Sequence, residues 1–357
     1  MFPPLFKKKV SNPLSKMSRW AKRTQLSTRE FISDTSSVLS GYREFKRDGA
    51  TPETAYLSMR RLYRTTNGRF NDAVGLLCKT IHRKRTASLP ESLFGDATNL
   101  EVKQIGACLK KDGFYKFPRQ IPRELCDHLL DFSLKSTGTS VSLESSPPAE
   151  TRFDRANPKS VRHQFNSSTL FEDESIQQLC TDPYLHAVAA EYLGFNPVLD
   201  LLSMWWSAPG DTALQSRAAQ LYHFDMDRFK FIKFFIYLTD VDTNNGPHCY
   251  VRGSHTRKPV ALLKDQRLTD GEILEHYAPN ELVELTGPTG TLLAVDTRGF
   301  HKGKPLLERD RLIFQIQFSD SLFGQNYPPV SVPREISVTA SKRFSENPRC
   351  YANFETS

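Results

Sequence analysis

The sequence predicts an α+β protein with a mainly β core, a sandwich or jelly roll with helices packed outside it. Three observations carry this. Beyond residue 197, short apolar runs recur between tight-turn signals. Before residue 195, most apolar residues follow helical spacing instead. The chain has 357 residues, 38% of them hydrophobic and 25% charged, enough for a sizeable core in one large or two ordinary domains. No apolar run approaches the length of a membrane span. The six cysteines are scattered with no CxxC pair, which reads as reduced thiols and not as a disulfide framework or a cysteine zinc site.

The elements follow in order. Residues 1–25 show no clear periodicity and read as a loose tail. The start, MFPPLFKKKV, has no apolar stretch followed by a small-residue cleavage site, so a cytoplasmic location is expected. Its basic character, free of acids until Glu30, makes a mitochondrial transit segment the alternative. Ser27 with Glu30 forms a capping-box pattern. Thr51-Pro52-Glu53 is a stronger helix start, with Thr51 as cap. That helix buries Ala55, Tyr56, Met59, Leu62 and Tyr63 and closes at Asn67-Gly68. A further helix runs from Asn71, with Val74, Leu77, Cys78 and Ile81 facing inward. Residues 83–90 read as a linker, 122–135 and 183–194 as helices, and 138–150 as a Ser/Pro-rich loop. Strands are expected at 197–206, 221–224, 230–239, 248–252, 281–286, 291–296 and 311–319. Residues 1–88 carry 19 Lys/Arg and 6 Asp/Glu, a net of +13. The whole chain is at +8, so the remainder stands near −5. A basic arm is joined to a mildly acidic body.

In the stretch LYHFDMDRFKFIKFFIYLTDVD, His223 and Asp225 stand two apart at the mouth of the most apolar run. On a strand they would share one face and could grip a cation together. Alone, this pattern also fits a hydrogen-bonded histidine beside a solvated acid. A third ligand would have to come from His248, His255, His276 or His301. The order favours His301, which follows an apolar strand and precedes Arg311 by ten residues. Two histidines and one carboxylate with open positions suit non-haem Fe(II) chemistry. A guanidinium on the next strand could fork onto a carboxylate of a co-substrate.

Residues 221–255, LYHFDMDRFKFIKFFIYLTDVDTNNGPHCYVRGSH, together with GTLLAVDTRGFHKGKP and RDRLIFQIQF, resemble the phytanoyl-CoA dioxygenase family. The resemblance covers residues 100–325. It implies a double-stranded β-helix of the jelly-roll and cupin kind, with flanking helices and an N-terminal helical arm. It further implies Fe(II) as the metal and 2-oxoglutarate and O2 as co-substrates. By the same resemblance His223, Asp225 and His301 are the iron ligands, and Arg311 pairs with the distal carboxylate of 2-oxoglutarate. Arg309 is the alternative, but it lies in a charged turn. Lys233 and Met204 are candidates for lining the co-substrate pocket. Ser254 and His255 match a structural corner. Some related oxygenases place Ser or Thr two residues after the arginine; here that position is Ile313. Related halogenases replace the carboxylate with a small residue, so Asp225 favours hydroxylation. The implied organisation is a helical arm at 1–88, a linker at 89–99, an oxygenase domain at 100–325 and a C-terminal tail at 326–357.

The expected activity is hydroxylation of a small-molecule or lipid-like metabolite, with release of succinate and CO2. Two other classes compete: a jelly-roll binding protein without turnover, and an oxygenase whose basic arm recruits a nucleic acid or a carrier-bound substrate. Lys7–Lys9 and Arg83–Arg85 would favour a polyanion or an anionic membrane. No nucleic-acid module is recognisable in residues 1–88. Trp205, Trp206, Phe224, Phe229 and Phe231 are expected mostly in the core, and His248 and His276 as surface or hydrogen-bonded residues.

Overall fold

The computed structural model describes residues 28–84, 92–140, 150–158, 160–209 and 221–356. The N-terminal tail, Ser27 as a cap, and most of the 83–90, 138–150 and 207–220 segments lie outside the described residues.

Three helices come first: α1 (Thr28–Asp48), α2 (Glu53–Thr66) and α3 (Arg69–Ile81). Asn67 (φ 49°) and Gly68 (φ 77°) adopt left-handed backbone and turn the chain between α2 and α3. Thr51 does not cap α2 as expected. Its hydroxyl instead accepts from the Gly324 N–H at 2.9 Å, and its own N–H donates to Asn326 Oδ1 at 2.9 Å. The start of α2 is thereby tied to a loop some 275 residues away.

The inward face of α3 also differs from expectation. Val74 and Cys78 are partly buried, but Leu77 and Ile81 are exposed. The buried side carries Asn71 and Gly75. Asn71 Nδ2 donates to the Phe229 carbonyl at 3.0 Å and Asp72 pairs with Lys230, so polar contacts with the body set the helix's rotation.

Next come α4 (Asn99–Asp112), β1 (Phe114–Gln120), α5 (Arg123–Lys135), β2 (Thr137–Ser140), β3 (Glu150–Arg152) and β4 (Arg162–Gln164). Helices α6 (Ser167–Phe171), α7 (Glu174–Cys180) and α8 (Pro183–Leu193) follow. Asp182 caps α8, accepting from the Tyr184 and Leu185 N–H groups, and Gly194 (φ 83°) ends it. The remaining strands are β5 (Val198–Ser207), β6 (Phe231–Tyr237), β7 (His248–Val251), β8 (Leu282–Leu285), β9 (Thr291–Val295), β10 (His301–Gly303) and β11 (Arg311–Ser319). A short α9 (Asp270–Leu274) precedes β8. The segment expected as a C-terminal tail holds β12 (Val330–Val332), α10 (Val338–Glu346) and β13 (Phe354–Thr356). Its Val330, Val332, Cys350 and Tyr351 enter the main core.

The described elements form a mixed, mostly antiparallel architecture. One sheet has eight strands in the order β1-β9-β6-β11-β5-β4-β2-β3; a second has three, β10-β7-β8. Only β12 and β13 pair in parallel among the described strands. The long strands read as continuous apolar runs because both faces are covered. One face of β5, β6 and β11 sends Leu202, Phe234 and Phe314 against Ile105, Tyr184 and Val188 of the helical layer. The other sends Trp205, Phe235 and Ile313 into a cluster with Tyr250 and Leu285 from the three-stranded sheet. The gap between the two sheets, near the ends of β7, β10 and β11, is where the polar residues collect.

Candidate metal centre and cavity

His223 and Asp225 do not sit on a regular strand. The expected strand 221–224 is a pair of isolated bridges, Tyr222 to Leu268 and His223 to His301. The His223 N–H donates to the His301 carbonyl at 3.0 Å, and the His301 N–H returns a bond at 2.9 Å. Asp225 N–H donates to the Thr297 carbonyl at 2.8 Å. The segment carrying the pair is thus stitched backbone to backbone onto the segment carrying His301, far along the chain. Between them, Phe224 packs edge-on against Phe300, with ring centroids 5.6 Å apart. Ser254 fixes the corner: its hydroxyl donates to the Val251 carbonyl at 2.6 Å and accepts from the Phe300 N–H at 2.8 Å.

The result is a compact donor set. One ligand atom each from His223, Asp225 and His301 lies within 4.8 Å of the others. His223 Nε2 is 3.7 Å from Asp225 Oδ1, and His301 Nε2 is 3.6 Å from Asp225 Oδ2. Both imidazoles use Nδ1 on a backbone carbonyl, His223 on Leu221 at 2.9 Å and His301 on Gly299 at 3.0 Å. That fixes the tautomer and leaves each Nε2 lone pair facing the carboxylate. Burial lowers the basicity of both rings; in His301, burial and then the neighbouring His223 bring the pKa down to about 3. Burial alone would raise Asp225, but Lys233, His301 and His223 together hold it below the usual carboxylate range.

Lys233 approaches from β6, donates to Asp225 Oδ2 at 2.7 Å and forms an ion pair with Asp227 at 3.0 Å. Burial works against its charge, and the two carboxylates outweigh it and raise its pKa.

A cavity of about 480 Å³ opens beside this set. It is lined by alternate residues of the large sheet: Lys233, Phe235 and Tyr237 of β6, Arg311, Ile313 and Gln315 of β11, and Leu201, Ser203 and Trp205 of β5. His248 and Gly303 line it from the smaller sheet. Arg311 is buried. Its Nη2 donates to Ser207 Oγ at 3.3 Å, and its Nε has no partner among the described residues. Gly246 (φ 71°) makes room for it, since a Cβ there would come within 3.0 Å of Arg311 Nη1 and 2.7 Å of Leu306.

Met204 is not part of this cavity. Strand alternation turns Ser203 and Trp205 toward it, so Met204 and Trp206 point the other way, into the core beneath the helices. Arg309, exposed and paired with Asp242 at 2.8 Å, also stays outside. His276 is exposed, and His255 bonds the Lys110 carbonyl at 3.2 Å, away from the donor set.

From the sequence, His248 is expected as a surface or hydrogen-bonded residue and Arg162 is not singled out, yet both line the cavity. His248 is buried and stacks parallel to His301 at 5.4 Å, with Nε2 unpartnered among the described residues. Arg162 lies over the Trp205 ring at 4.4 Å and bonds Gln164. Strand parity could have found His248 once β7 was known to face the cavity; nothing local marked Arg162.

A family model, phytanoyl-CoA dioxygenase (PhyH), matches residues 109–307, more than half of the chain. The chain belongs to the phytanoyl-CoA dioxygenase family. It is accordingly a 2-oxoglutarate-dependent dioxygenase, with iron as its metal and 2-oxoglutarate and O2 as co-substrates. No curated protein matches it. Among solved structures, the non-heme alpha ketoglutarate dependent epimerase SnoN from nogalamycin biosynthesis is 18% identical, with 63% of this chain and 85% of that one covered and a TM-score of 0.45. EctD from S. alaskensis is 16% identical over 67% and 83% of the two chains, with a TM-score of 0.45. AviO1 from Streptomyces viridochromogenes Tue57 is 15% identical over 62% and 96%, with a TM-score of 0.42.

Proposed function

We propose that this family member hydroxylates an unactivated C–H bond of a small-molecule metabolite, with His223, Asp225 and His301 holding Fe(II) and Arg311 holding the far carboxylate of 2-oxoglutarate. The observation that carries the reading is the donor set itself. A buried and a half-buried imidazole, each with Nδ1 already committed, and a carboxylate kept ionised by Lys233 are what a divalent iron of intermediate softness accepts. Lys233 occupies Asp225 Oδ2, which leaves Oδ1 to ligate. The iron, when bound, supplies the activation of O2 that protein side chains cannot. The chain's own work is to hold and exclude. Arg311 neutralises and aligns the co-substrate, while Phe235, Ile313 and Trp205 keep that wall of the cavity apolar.

In this reading the two facing sheets form a double-stranded β-helix over residues 100–325, residues 1–88 are a helical arm joined through a linker at 89–99, and 326–357 close the C-terminal end. The presence of Asp225, where halide-binding relatives would need a gap, favours hydroxylation over halogenation. Gln164, Ser203, Gln315 and Arg162 give the cavity a polar side, which favours a metabolite bearing oxygen functions over a plain hydrocarbon chain.

The test is 2-oxoglutarate consumption and succinate release by the purified chain with added Fe(II), followed by mass spectrometry of metabolite extracts for a gain of one oxygen. Asp225→Ala is expected to lose both metal binding and turnover by at least a hundredfold. Undiminished turnover in that variant would overturn the ligand assignment.

A further inference from the structure

Helix α3 is turned with its polar side inward. Asn71, Asp72 and Gly75 meet the body, while Leu76, Leu77 and Ile81 stand 63%, 58% and 62% exposed. Three large apolar side chains along one helix, left in water, mark a contact surface. What lies beside them identifies the contact. Leu76 is on the rim of a cleft of about 430 Å³, also lined by Lys79, Lys110, Lys230, Arg257 and Arg298. Asp72 is the only carboxylate lining it among the described residues, and it is shared by Lys230 and Arg257, while Arg298 is held from behind by the buried Asp296. Lys79 has no ion pair among the described residues, and Lys110 reaches only Glu191, at 3.8 Å, a carboxylate that Lys84 holds more closely. The cations crowd one another: burial and then the Arg298 charge bring Lys230 down to about 8.

We infer that this face docks on an anionic phospholipid surface, with Leu76, Leu77 and Ile81 entering the headgroup boundary and the cleft receiving a lipid phosphate. A basic cleft with an apolar lip is the arrangement that a bilayer rewards on both counts. A nucleic-acid backbone would satisfy the cations and leave the leucines in water. A two-fold contact between copies would bring each basic cleft toward its own duplicate. No helix among the described residues is long and apolar enough to cross a membrane, so the contact is peripheral.

The test uses the full chain and flotation with vesicles of phosphatidylcholine alone or phosphatidylcholine mixed with phosphatidylserine. Binding to the mixed vesicles only, weakened by salt, is expected. L76S/L77S/I81S and K79E/K110E should each lower the bound fraction at least tenfold with unchanged thermal melting. Undiminished binding of both variants would overturn the inference and give the lipid contact to residues 1–27, which hold seven Lys/Arg. A wild-type dimer that the triple serine variant dissolves would overturn it in favour of self-association.

Discussion

Arg311 is a guanidinium enclosed without a counter-ion among the described residues. Its single polar partner is a serine hydroxyl at 3.3 Å, and burial makes its charge costly, as its lowered pKa reflects. A buried cation in that state is poised for an anion of matching shape. Truncating one partner of such a pair costs about 2–5 kcal/mol, or roughly 30-fold and more in affinity. Arg311→Ala is therefore expected to raise the KM for 2-oxoglutarate at least about 30-fold while leaving Mn(II) binding in place, as read by steady-state kinetics and metal titration. Arg311→Lys should recover only part of the loss, because a point charge lacks the two-pronged fork. Equal losses in metal and co-substrate binding would move Arg311 out of the role.

Single elements show what a linear reading can hold. His223, Asp225, His301 and Arg311 stand out because motif residues and the turns between them are spelled in the chain. The partner of a face is not spelled. β5 is a strand as expected, yet which parity meets the cavity depends on the second sheet, so Met204, expected at the co-substrate pocket, lies on the opposite face. His248 looked peripheral because nothing local says that β7 lies between β10 and β8. In α3 the apolar spacing is real, but it describes a stripe and not what the stripe touches. Asn71 and Asp72, bonded to Phe229 and Lys230, decide the rotation. The contrast with α2 is measurable. Leu62 is fully buried, whereas Leu77 is exposed. Leu62→Ala should cost about 2–5 kcal/mol in urea unfolding, and Leu77→Ser should stay within about 0.5 kcal/mol. A large loss at Leu77 would mean that α3 packs its leucines inward after all.

Across the whole molecule, the N-terminal helices and the candidate metal centre share supports. Phe31, Val38, Met59 and Leu62 cluster with Phe229 and Phe323 of the body. Tyr63, at the end of α2, lies 5.6 Å from Phe224, the residue between His223 and Asp225. The buried Lys258 ammonium joins the same corner, donating to Tyr63 Oη and to the Ser254 carbonyl, both at 2.9 Å, and to the Arg298 carbonyl. One knot therefore holds α2, the Ser254 turn and the approach to His301. Removing residues 1–84 would expose Phe224, Phe229 and Phe323 and leave Lys258 short of a partner, so the truncated chain should lose cooperative melting together with metal binding. Tyr63→Phe separates the two parts of that argument. It keeps the ring against Phe224 and removes the hydroxyl that accepts from Lys258. A stability loss of about 1–3 kcal/mol follows from stranding a buried donor, with metal affinity changed far less, since the ring contact persists. Thermal melting and metal titration on the same preparation read both quantities. A truncated chain that still melts cooperatively and binds metal as the full chain does would show that the helices only lean on the body.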